Sequence, residues 1–188
     1  MTTEKNNTNG TIWGQPLAIY HPNGKGTGAA LQLEPRVNRR QGDRANCFFI
    51  DLAAQKTAAG TSDGRRIPAT FDWERKLTVK LGFNDVCEIL AVLEGRQDHV
   101  GGARDGLFHD NGSANTLITF QNDANRAGYY LGLSRKGKGK AQAERIGIVL
   151  SETEAIGLRH ILQTGLFFML FYTHLFGVRP QRKETTAD

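Results

Sequence analysis

The chain has 188 residues, a formal charge of +5 and 39% hydrophobic residues, enough for one compact core and too few for a membrane protein. Cys47 and Cys87 are its only cysteines and make neither a disulfide framework nor a metal-ligand spacing, so a reducing, cytoplasmic setting is expected. No apolar stretch of signal-peptide length opens the chain, and residues 1–16 lack arginine, so no transit peptide is read there.

The basic charge is segregated. Residues 36–44 carry Arg36, Arg39, Arg40 and Arg44 against Asp43, and residues 135–145 carry Arg135, Lys136, Lys138, Lys140 and Arg145 against Glu144. These nine positive and two negative charges make a local +7, which leaves −2 for the rest of the +5 chain. Such a distribution suits a polyanionic partner; basic residues that merely solvate loops are the competing reading.

In chain order, residues 1–14 read as a polar arm, residues 15–177 as the domain and residues 178–188 as a polar tail. Leu31 and Leu33 alternate with Gln32 and Glu34, then Phe48, Ile50 and Leu52 with Phe49 and Asp51, then Leu77, Val79 and Leu81 with Lys76, Thr78 and Lys80. This period of two marks half-buried strands. A Gly- and charge-rich loop is expected over 56–70. After Asn84, a helix N-cap by type, Val86, Ile89, Leu90 and Leu93 recur at helical spacing, and Gly95 supplies a stop.

A second loop is expected over 95–106, with "LFHDNG" read as a turn. Strands follow over 116–120, 129–133 and 146–150, with Tyr129, Leu131 and Leu133 inward and Tyr130 outward. Ser151 and Glu154 then form a capping box that opens a long helix reaching about residue 172 or beyond and stopping by Gly177. "LTVKLGFNDVCEILAVLEG" and "IGIVLSETEAIGLRHILQTG" both run from strand through cap into helix, which indicates a duplicated unit of four strands and a helix. The fold expected is α+β, with two roughly four-stranded antiparallel sheets and two helices.

The last helix is apolar on every side around Leu166, Phe167, Phe168, Leu170 and Phe171. Arg159, His160 and Gln163 interrupt it, which argues against a membrane span. A homo-oligomer interface is the expected way to cover it, with burial inside one chain as the alternative.

Motifs for chemistry are lacking. "HPNGKGTG" is no phosphate loop, because Gly26 follows Lys25 where Ser or Thr is required and a strand follows in place of a helix. His109-Asp110 has no nucleophile or second carboxylate at recognisable spacing, and His99, His160 and His174 form no zinc pair. No enzyme activity, cofactor or metal is expected. Strand-borne cations with aromatics do fit a single-strand binder, in which lysines track phosphates and rings stack on bases. Lys76 and Lys80 share one strand face, and Phe49, Trp73, Tyr129 and Tyr130 are the candidate rings, each with core packing as its alternative role.

Several segments, in order, resemble the Whirly family of plant single-stranded-DNA-binding proteins. "KGTGAALQLEP" is similar to the family's Lys-Gly-Lys-Ala-Ala-Leu strand, "FDWERK" to its Tyr-Asp-Trp-x-Arg-Lys segment, "LFHDNG" to its Phe-Phe-His-Asp turn, and the final helix to its long C-terminal helix. The resemblance spans about residues 17–177. It implies a homotetramer of two-sheet protomers that binds single strands along sheet edges with little sequence preference; related architecture occurs in trypanosome guide-RNA-binding proteins. Carried over by position, Lys25, Trp73, Arg75 and Lys76 are binding residues, while Thr27-Gly28 departs from the family's second lysine. A bacterial or phage source is expected. The function expected is binding of single-stranded DNA in replication, recombination, repair or transcription. An RNA ligand, or an oligomeric scaffold without nucleic acid, stands as the alternative.

Overall fold

The computed structural model of the chain describes residues 16–36, 46–123 and 125–176, with side chains up to residue 171. The expected arm, the tail, and the cations Arg39 and Arg40 lie outside the described residues.

Among the described residues, eleven strands and two α-helices follow one another in two similar units. The first holds β1 (Leu17–His21), β2 (Ala29–Arg36), β3 (Cys47–Thr57), β4 (Gly60–Ser62), β5 (Arg65–Ile67), β6 (Thr70–Phe71), β7 (Leu77–Leu81) and α1 (Phe83–Leu93). The second holds β8 (Leu107–Asp110), β9 (Ala114–Asp123), β10 (Gly128–Gly137), β11 (Glu144–Ser151) and α2 (Glu152–Phe176). β1, β2, β3 and β7 lie side by side, all antiparallel, with the two-residue β6 continuing on the far end of β3. The second sheet has the order β11-β10-β9-β8, again antiparallel. This is the α+β plan expected, with two corrections. The 56–70 segment folds into the β4–β5 hairpin and β6, and "LFHD" is an edge strand rather than a turn.

Period-two patterning decides which faces meet. Leu31, Leu33, Phe48, Ile50, Leu52, Leu77, Val79 and Leu81 of the first sheet share one core with Ile118, Phe120, Leu131, Leu133, Ile148 and Leu150 of the second. Alternate residues face outward on both sheets, because a pleated strand points successive side chains to opposite sides. Helix α1 closes the core with Val86, Ile89, Leu90 and Leu93, and α2 with Ala155, Leu158 and Leu162, the i, i+3, i+4, i+7 stripes of amphipathic helices.

The duplication is visible residue by residue. Gly82 and Ser151 precede the two helices, and each helix places a carboxylate at its third position, Asp85 in α1 and Glu154 in α2. Asp85 accepts from the backbone N–H of Gly82 at 2.8 Å, and Glu154 from that of Ser151 at 2.8 Å. The cap of α1, Gly82, thus lies two residues before the Asn84 cap expected from sequence. Stepping back through the pairings, Leu81 with Phe48 corresponds to Leu150 with Tyr129, Ile50 with Leu33 to Leu131 with Phe120, and Leu31 with Ile19 to Ile118 with Leu107.

Among the described residues, only one side of α2 is covered. Gly165 lets the helix settle on Phe48, whose ring occupies the space a Cβ at that position would need. Asn46 donates from Nδ2 to the Phe168 and Met169 carbonyls at 3.3 and 3.1 Å. Leu166, expected at an oligomer interface, instead packs on the chain's own core. Phe167, Phe168, Leu170 and Phe171 are exposed, as are Ile156 and Ile161.

Candidate nucleic-acid interface

Three rows of residues cross the outer face of the first sheet. Tyr20, Ala30 and Ala53 form one, with Lys76 at the end of β7; Gln32, Asp51 and Thr78 form the next; Glu34, Phe49 and Lys80 form the third. Lys80 is exposed directly opposite Phe49, and the Arg36 guanidinium lies 4.7 Å from the Phe49 ring centroid, a cation–π contact. Lys76 is engaged differently: its Nζ lies 2.6 Å from Asp51 Oδ2, and the Thr78 hydroxyl donates to the other carboxylate oxygen. Asp51 is only 5% exposed, so the pair is held within the sheet face.

At the β1 edge the rings gather. Tyr20 lies 5.5 Å from Phe71 and 6.3 Å, edge-on, from Trp73. With Pro22, Pro68 and Arg66 they line a cleft of about 480 Å³, large enough for a planar base, and Tyr20 is half exposed. The hairpin beside it carries Arg65 and Arg66, both exposed. Arg75 points outward but is bound to Asp72, with NH2 to Oδ2 at 2.6 Å and Nε to Oδ2 at 2.7 Å. The Arg75 hydrogen bond holds the Asp72 carboxyl below the usual carboxylate range, against the opposing effect of burial.

Lys25 sits in the turn between β1 and β2, which begins at Pro22 of this cleft. Asn23 Oδ1 accepts from the N–H groups of Lys25 and Thr27 at 3.0 and 3.1 Å. Gln55, buried beneath, accepts from Asn23 and Gly28 and donates to the carbonyls of Asn23 and Thr57. A Cβ at Gly28 would collide with the His21 carbonyl and the Gln55 side chain. The lysine is therefore presented on a fixed loop, with its ammonium exposed.

On the second sheet, Tyr130 faces outward and Tyr129 inward, as the alternation requires; Tyr129 stacks on Phe120 with centroids 5.7 Å apart. Lys136, Lys138 and Lys140 are exposed at the β10–β11 turn. Arg135, grouped with them in sequence, is held inside: Nε donates to Thr116 Oγ1 at 3.2 Å and the guanidinium also donates to the Thr78 carbonyl on the free edge of β7. It ties the two sheets together.

The structure thus assembles Phe49, Lys80 and Arg36 on one face and sets Trp73 in one cleft, with Lys25 in the turn that leaves that cleft at Pro22. Tyr130 and the lysine turn lie on the other sheet. Tyr20, Phe71, Arg65 and Arg66 were missed from sequence; the only signal was the short alternating "LAIYH" and a Gly-Arg-Arg placed in an expected loop. Both thiols are pushed up by burial, Cys47 against the lowering influence of Lys80 and Arg36, and Cys87 with a further rise from Glu88, so neither is activated. Among the described residues, no cluster of three or more His, Cys, Asp or Glu side chains is placed to hold a metal ion, and no helix is long and apolar enough to cross a membrane.

No protein-family model and no curated protein sequence matches the chain. Solved structures do. WHY1 from Arabidopsis thaliana superposes with a TM-score of 0.64 at 17% identity, over 87% of this chain and 88% of that one. The plant transcriptional regulator PBF-2 gives 0.62 at 18% identity, over 87% and 85%. A guide-RNA-binding protein complex, solved bound to a guide RNA, gives 0.51 at 18%, over 85% and 92%. Identities this low speak for shared architecture alone, and that architecture is the Whirly-like fold.

Proposed function

We propose that the protein is a non-enzymatic, homo-oligomeric binder of single-stranded nucleic acid, with DNA of little sequence preference as its ligand. The observation that carries this reading is the cluster of the exposed Tyr20 with the half-buried Phe71 and Trp73, beside Arg65 and Arg66. Stacking rings accept any base, and neighbouring cations take the phosphates. The outward Phe49 and Tyr130 extend the same chemistry along both sheets. A binding role rather than catalysis is supported by the four polar side chains buried among the described residues, Asp51, Gln55, Asp72 and Thr116. Each is engaged in hydrogen bonds that hold the fold. The exposed phenylalanines of α2 support a homo-oligomer, a tetramer in the arrangement favoured here.

Fluorescence anisotropy with a labelled oligothymidine tests it. Expected are preference for single over double strand and a linear fall of log affinity with log salt. Absence of binding, or affinity indifferent to salt, overturns it. The similarity to a complex solved with guide RNA favours a second reading, in which the ligand is RNA. Competition between matched DNA and RNA oligonucleotides separates the two, since only RNA offers the 2′-hydroxyl.

A further inference from the structure

The internal duplication gives the second sheet an outer face built on the same plan as the first, with one decisive difference. By the pairings above, Phe49 corresponds to Tyr130, Lys76 to Arg145, Tyr20 to Phe108, and Asp51 to Gly132. On the first face Asp51 holds Lys76, Glu34 shares the row of Lys80, and Arg36 lies over the Phe49 ring. On the second face the Asp51 counterpart is a glycine. The rows Gln121–Tyr130–Val149, Thr119–Gly132–Gly147 and Leu117–Ser134–Arg145 contain no carboxylate; the rows beyond them do, with Asp110 beside Asn115 and Lys136 at one end and Asp123 beside Gly128 at the other. Arg145 and Lys136 are exposed there and make no ion pair among the described residues.

The ring of Tyr130 is also seated differently. It lies across the cross-strand pair Gly132–Gly147, and a Cβ on Gly132 would fall 2.7 Å from its hydroxyl. Two glycines in the middle of adjacent strands cost conformational entropy and side-chain packing. Here they let an aromatic ring lie flat on the sheet. Shallow clefts flank the ring on both sides, about 230 Å³ towards Arg145 and about 620 Å³ towards Gln121 and the ion pair Asp123–Arg126. Together they form a groove that runs along β9 and β10, with a flat ring at its middle.

We propose that this groove is the principal track for the single strand, with Tyr130 stacking on a base and Arg145 and Lys136 gripping successive phosphates, while the first face holds the strand more weakly because Asp51 competes with the phosphates for Lys76. The proposal rests on the function proposed above and adds which of two related faces does the gripping.

Anisotropy with a labelled oligothymidine at several salt concentrations tests it on the full chain. Expected for Arg145→Glu and for Tyr130→Leu is a loss of affinity of about tenfold or more, with Arg145→Ser lowering the salt slope by about one. Lys80→Glu on the first face costs less than Arg145→Glu, and Asp51→Asn strengthens binding by freeing Lys76. Wild-type protein photocross-linked to a 5-iodouracil oligonucleotide is expected to yield an adduct on Tyr130, a readout that needs no variant to fold. If the wild type binds no single strand, the function and this track fall together. If it binds, yet the Arg145 and Tyr130 variants match it within about twofold and the adduct maps to the first sheet, the track alone is overturned.

Discussion

His21, at the end of an edge strand of the first sheet, donates from Nε2 to Oε1 of Glu154, 2.8 Å away, in the first turn of the helix that closes the second unit. Its counterpart in the duplication, His109 on the edge strand of the second sheet, bonds Asp85 in the first turn of α1 at 3.0 Å. Each sheet's edge strand therefore fastens the helix of the other unit, at the carboxylate that also caps it. The two halves are interlocked by one interaction used twice.

Removing either histidine is expected to destabilise the protein by about 1 kcal/mol, the net worth of one hydrogen bond with a partly buried partner. Urea denaturation of His21→Ala and His109→Ala measures it. Similar losses from the two variants are expected from their equivalence. A loss near zero in both would show that the helix caps suffice without the strand contact.

Stability should also depend on pH through Glu154. Burial raises its carboxyl, but the Ser151 N–H, His21 and the Ser151 hydroxyl together outweigh that and hold it below the usual value of 4.5. A carboxyl lowered in the folded state stabilises above its unfolded value, and the contribution disappears as pH falls through the folded value. The melting-temperature difference between wild type and Glu154→Gln is therefore expected to be full at pH 7 and to shrink below about pH 4.5.

Gly165→Ala is expected to cost about 1–3 kcal/mol, because the added methyl meets the buried ring of Phe48. Thermal unfolding checks this. The neighbouring Gly157, with open space around it, provides the control: Gly157→Ala should be neutral or stabilising by up to about 1 kcal/mol, since alanine is the better helix former.

Phe167→Asp together with Phe171→Asp is expected to lower the oligomeric state, read by light scattering, with secondary structure unchanged by circular dichroism. Both rings are nearly half exposed, at 49% and 47%, and lie 5.5 Å apart in one aromatic patch. An unchanged molecular mass would place the interface elsewhere.

Trp73→Ala is expected to weaken binding of an oligothymidine by about 1–3 kcal/mol, the worth of one stacked base, and the wild-type tryptophan fluorescence should be quenched on binding. Quenching that is absent, with affinity unaltered in the variant, would remove the Tyr20–Phe71–Trp73 cleft from the interface.

Sequence alone determined the strands from β2 to β11 that alternate over five or more residues, both helices and the duplicated plan. These depend on local periodicity and on capping residues such as Ser151 and Glu154, which act within a few positions of each other. It also separated Tyr130 from Tyr129, since the pleat forces neighbours to opposite faces. What it left open was decided by contacts between residues far apart in the chain. Arg135 and Lys136 are adjacent and equally charged, yet one reaches the β7 carbonyl edge and the other reaches solvent. Lys76 and Lys80 share a face, but only the fold brings Asp51 beside the first. Tyr20, Phe71 and Trp73 meet because β1 and β6 both lie at the C-terminal end of β3. Periodicity assigns a side chain to a face; which other side chain shares that face is a matter of sheet order and register, and those are fixed only when the whole core closes.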